Sequence, residues 1–102
     1  GGPEPSGWVL CLEVAEHIPV DKVETFVRNL GALTAGHLVV SWAAPAKCGL
    51  GWGHVNCKEP SAVAALFQSF AGLQVDEEAT WRFRAAADIP WIQEGVMVLR
   101  RP

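Results

Sequence analysis

The 102 residues predict an α+β fold of ferredoxin-like βαββαβ type, two helices on a four-stranded antiparallel sheet. Three observations predict it. Apolar runs of strand length alternate with amphipathic stretches in the order β-α-β-β-α-β over about 75 residues. Each amphipathic stretch closes on a glycine, Gly31 and Gly72. Half of the residues are hydrophobic and 19% are charged, which is enough to bury one core and leaves intrinsic disorder without support. The length suits one domain.

Residues 1–7, rich in Gly, Pro and Ser, read as a flexible leader, and the absence of Met at position 1 suggests a domain excised from a longer protein. Trp8–Val14 is a near-continuous apolar run. It fits a strand covered on both faces, or one with a binding surface on its second face. Val20, Val23, Phe26 or Val27 and Leu30 then recur at spacings of three and four, a helix stopped by Gly31. His37–Ala44 is β-branched at its centre and reads as the second strand. After a loop, Gly53-His-Val-Asn-Cys57 alternates as a third. Pro60 suits a first helical turn, and Val63, Leu66, Phe67 and Phe70 form an apolar stripe ending at Gly72. Thr80-Trp-Arg-Phe-Arg84 alternates as the fourth strand, which makes 8–87 the domain. The extension 88–102 carries Ile89, Trp91, Ile92 and Val96–Leu99, and would pack on or beside it as a short strand or a cover for one sheet face.

Charge and cysteine content bound the partners. The formal net charge of −3, with three lysines and five arginines, disfavours strong non-specific nucleic-acid binding but leaves room for a local site. Cys11, Cys48 and Cys57 are an odd number, which argues against a disulfide framework and for a reducing nuclear or cytoplasmic location. No apolar stretch approaches the ~20 residues needed to cross a bilayer. No C-x₂-C pair accompanies His54, so no metal and no cofactor are expected. No carboxylate is placed by sequence to orient His54 beside Cys57, so no enzyme is expected either.

At the third strand, Leu50-Gly51-Trp52-Gly53-His54-Val55-Asn56-Cys57 resembles the octamer of the RNA recognition motif (RRM). Gly51, Trp52, Gly53, His54 and Val55 fit the pattern. Leu50 stands where that family has a basic residue, and Cys57 where it has an aromatic one. Val9–Val14 would be the accompanying hexamer, with Leu10 in place of its aromatic residue. The resemblance implies a sheet face that binds single-stranded RNA. Alternation puts Trp52, His54 and Asn56 on one face, with Leu10 and Leu12 beside them, and Arg82 and Arg84 on strand four. Trp52 and His54 would stack on bases, Asn56 would read a base edge, and Arg82 and Arg84 would contact phosphate. The rival reading is a protein-interaction domain of RRM type. Its sheet face would be occluded or docked on a protein partner, and the extension offers a second contact for one.

The expected core is Val9, Cys11, Val23, Phe26, Leu30, Val39, Val55, Val63, Leu66, Phe67, Trp81 and Phe83. Phe67 sits at the centre of the second helix's stripe. Phe67→Ala should therefore cost ~3–5 kcal/mol in a urea titration; a loss below ~1 kcal/mol would mean that this helix is misplaced.

Overall fold

A computed structural model describes residues 5–45, 48, 53 and 55–102, the side chains of 90–92 excepted. Its elements are β1 (Ser6–Cys11), α1 (Val23–Leu33), β2 (Thr34–Ser41), α2 (Pro60–Ala71), β3 (Gln74–Val75), α3 (Glu77–Ala86), α4 (Pro90–Gly95) and β4 (Val96–Arg100). Single 3₁₀ turns at Ala15–His17 and Val20–Lys22 precede α1.

The sheet order is β1-β2-β4-β3. β1 and β2 are parallel, joined through α1, and β4 runs antiparallel to both β2 and β3. This overturns the expected antiparallel ferredoxin-like sheet: a parallel pair of neighbours linked by a helix is the unit of an α/β fold. Two of the expected strands are also absent. Thr80–Arg84 lies inside α3, and the described part of 53–57 is a turn at Gly53 followed by irregular chain.

Strand periodicity divides the core into two layers. Leu38 pairs with Leu99 and Val40 with Met97, and these four side chains meet Val23, Val27 and Leu30 of α1 and Val63 and Phe67 of α2. Val39 pairs with Val98, and Ser41 with Val96; on that second face Val39, Val96 and Val98 pack with Leu12 and with Ala79 of α3. The helices α1 and α2 approach closely because Gly31 has no side chain: a Cβ there would lie 2.6 Å from the Ala71 Cβ. Gly31 is therefore a packing residue, and α1 runs past it to Leu33. Gly72 does end α2, with φ 65° in the left-handed region that glycine tolerates.

α3 is held to β4 by a polar seam. β3 has only two residues, so β4 outlasts it and leaves backbone groups of Val96 and Val98 without a strand partner. α3 supplies the partners at every fourth residue. The Asp76 N–H donates to Val98 O (2.8 Å), the Val98 N–H donates to Thr80 Oγ1 (2.9 Å), and Arg84 Nε donates to Val96 O (2.8 Å). The Asp76 carboxylate caps the helix by accepting from the Ala79 N–H at 3.0 Å. That cap and this spacing explain why 77–86 is helical although its apolar residues alternate like a strand. Trp81 points to solvent and Phe83 is only part covered, so neither is core; Val55 is exposed as well. The remaining expected core residues are buried or packed against the core.

The cysteines also depart from expectation. Cys48 and Cys57 form a disulfide, and Cys11 is a free thiol. No helix among the described residues is long and apolar enough to cross a membrane.

The seam can be tested at Thr80, which is buried. Thr80→Val keeps the shape but strands the Val98 N–H. It should cost ~1–3 kcal/mol in a urea titration, the range for leaving a buried backbone donor unpaired. Arg82→Ala, which removes only an exposed pair with Glu78, should change stability by less than ~0.5 kcal/mol.

Candidate functional site

In an open α/β sheet, ligands bind outside the carboxyl ends of the parallel strands. Here β1 and β2 end side by side at Cys11 and Ser41. Two residues past β1 the chain turns through Glu13, the one non-glycine residue with positive φ (61°) among those described. A left-handed glutamate is strained by ~1–3 kcal/mol and persists only where its surroundings hold it. Ser41 provides the hold. Its Oγ accepts from the Glu13 N–H at 2.7 Å and lies 3.5 Å from Glu13 Oε1, to which it donates.

The turn continues into Ala15–His17, where Ala15 and Glu16 are buried. Glu16 O then accepts from the backbone N–H groups of Val55 (3.0 Å) and Asn56 (3.1 Å). The segment that leads to α2 is thus fastened onto the loop that leaves β1. Trp42, the first residue past β2, is buried against Phe26, and its indole Nε1 donates to Asn56 O at 2.7 Å. His17 Nδ1 lies 3.0 Å from Gly53 O and donates to it as the Nδ1–H tautomer. The Cys48–Cys57 bridge joins two points of the same connection.

The strand ends therefore gather Cys11, Glu13, Glu16, Ser41, Trp42 and Asn56, with Val14 and Val55 exposed beside them. Burial pushes the Cys11 thiol above its ordinary pKa, and the Glu16 carboxylate adds to the rise. The thiol is therefore protonated at neutral pH and is a poor nucleophile. Among the described residues, no three His, Cys, Asp or Glu side chains come together to hold a metal ion.

The residues expected to bind RNA are dispersed. Leu10 is exposed on the edge strand, whereas Leu12 is half-buried against Val39, Val96 and Val98. Arg84 is used in the α3 seam, and Arg82 pairs outward with Glu78 at 2.6 Å. Trp52 and His54 lie outside the described residues. Asn56 is at the strand ends but buried, with no open sheet face around it. Sequence reasoning missed Glu13, Glu16 and Ser41. The available signal was a carboxylate directly after one apolar strand and a Ser-Trp pair at the end of the next.

No protein-family model matches the chain, and no curated protein matches it. Among solved structures it is similar to magnesium protoporphyrin IX methyltransferase (ChlM) from Synechocystis PCC 6803 with bound SAH, at TM-score 0.66 and 17% identity. The match covers 98% of this chain and 47% of that one, so the chain spans about half the length of that structure. The likeness places the fold in the Rossmann-like α/β class, with a mixed sheet. It overturns the RRM resemblance and, with it, single-stranded RNA as partner, the protein-interaction alternative of RRM type and its sheet-face or extension contacts. It also removes the ground for excluding an enzyme.

The raised thiol pKa has a signed consequence. The folded state holds the Cys11 proton more tightly than the unfolded chain does, so this contribution is complete below the unfolded pKa and disappears as pH rises through the folded one. Urea midpoints followed from neutral to strongly alkaline pH should fall less steeply in Cys11→Val than in the unaltered chain. Parallel curves would mean that the thiol is not buried.

Proposed function

We propose that this chain binds a sulfur-linked nucleoside, the sulfonium SAM or the thioether SAH, at the carboxyl ends of β1 and β2, as part of a methyltransferase-type α/β domain. One observation carries the reading. Two parallel strands end together, and their exit loops are locked through the strained Glu13 and the Ser41 hydroxyl. Strain held at a strand end is what a positioned ligand site requires, and a sheet's carboxyl edge is where the fold class puts its ligands. The likeness to a structure with bound SAH supports the choice of ligand.

The donor set fits such a molecule. The exposed Glu13 carboxylate would accept from hydroxyl or ammonium groups, and Val14 and Val55 offer exposed apolar contact. Bound SAM supplies a methyl group on a sulfonium sulfur, ready for transfer to a nucleophile. This chain's residues would bind and orient: the Ser41–Glu13 lock fixes the first loop, and the Glu16 carbonyl fixes the second against it. The protonated Cys11 thiol has no nucleophilic part in this scheme.

The test is a ¹⁵N NMR titration of the chain with SAH. The amides of 12–17, 41–43 and 55–57 should shift together at millimolar SAH or below, while those of α3 stay in place. A spectrum unchanged at saturating SAH, or shifts confined to other elements, would overturn the proposal.

A further inference from the structure

Asn56 combines two properties that conflict in a purely structural residue. Its backbone is anchored on both sides, by the N–H donated to Glu16 O and the carbonyl that accepts from Trp42 Nε1. The residue is only 5% exposed, and yet the carboxamide Nδ2, with two hydrogens to donate, is fully buried and has no hydrogen-bond partner among the described residues. A buried donor left unmatched lowers stability, and native proteins keep few of them. An apolar side chain of the same shape would serve the fold better. The group lies beside the strand-end lock, and the preceding residue, Val55, is 59% exposed, so it sits one residue from the surface. Glu13, strained at the end of the neighbouring strand, is a second and independent cost at the same place.

We infer that the Asn56 carboxamide is a ligand-binding group of this site, donating to a hydrogen-bond acceptor of the bound sulfur-linked nucleoside. The inference rests on the reading above and adds to it the residue and the polarity of the contact. An acceptor on the ligand supplies what the folded chain withholds from Nδ2. SAH has such acceptors in its carboxylate, its hydroxyl oxygens and its purine nitrogens.

The inference requires opposite effects on stability and on binding. In the ligand-free chain, Asn56→Leu keeps the branching of the side chain, removes the unmatched donor and leaves both backbone bonds intact, so its melting temperature should rise by about 2–6 °C. Its SAH affinity, read from the same NMR titration, should fall by about tenfold or more. Asn56→Ala removes the donor without steric load and must weaken SAH binding by the same factor. An equal loss for adenosine assigns the contact to the nucleoside; a loss seen with SAH alone assigns it to the amino-acid end.

A leucine variant that melts lower or fails to fold overturns the inference, because Nδ2 then serves the fold through an internal partner or a trapped water. SAH affinity unchanged in both variants also overturns it, while the proposed function stands. Absence of SAH binding by the unaltered chain overturns both, so the two failures are distinguishable.

Discussion

The fold depends on seating its last strand between two earlier ones. β4 is buried from Val96 to Leu99 and needs partners along both edges. β2 supplies one edge over five residue pairs, and β3 supplies the other over only two. The shortfall is made up by a helix. Thr80 and Arg84 of α3, with its capping residue Asp76, complete the hydrogen bonds that a longer strand would have made. Directly after β4, the Arg101 guanidinium donates to Gly31 O (2.6 Å), Thr34 O (3.1 Å) and Ala71 O (2.9 Å), the closing carbonyls of α1 and α2. One short segment thus closes the sheet and ties both helices to it. The orphan carbonyls at helix ends need such donors.

That arrangement sets where chemistry can occur. With β4 antiparallel and central, the only parallel neighbours among the described strands are β1 and β2, and their carboxyl ends coincide. The Glu13–Ser41 lock, the Glu16 carbonyl with its two backbone donors and the Trp42–Asn56 bond all lie at that end. Costs accumulate there too, in a left-handed glutamate and an unmatched carboxamide donor. Elsewhere among the described residues the backbone obeys ordinary preferences, and the two other positive φ values belong to Gly53 and Gly72.

The helices α1 and α2 and the strand β2 were legible because their signals are local: stripes at spacings of three and four, a β-branched run and a terminal Gly72. The path of the sheet was not. Period-2 alternation at Trp81-Arg-Phe-Arg84 is a strand pattern, but here Trp81 faces solvent while Thr80 and Arg84 mark one helical face. Asp76 followed by two glutamates was the N-cap signal that would have identified that helix. The Gly-Trp-Gly-His run matched a known octamer, yet its described neighbours form no strand. The direction of β1 against β2 is a long-range property that no window of residues contains. At the site, Asn56 was singled out, but for a sheet face. Glu13 and Ser41 went unnoticed because their meeting depends on a contact 28 positions apart.

The central claim is the mixed sheet: β1 parallel to β2, with β4 between β2 and β3. Backbone nuclear Overhauser contacts in the uniformly labelled chain test it most directly. Antiparallel cross-strand contacts should pair Val39 with Val98 and Val40 with Met97, and parallel ones should pair Val9 with Leu38. Residues 77–86 should show only the sequential pattern of a helix. Cross-strand contacts from Thr80–Arg84 to Trp8–Val14, with none from Val98 to Val39, would contradict it and restore an antiparallel sheet.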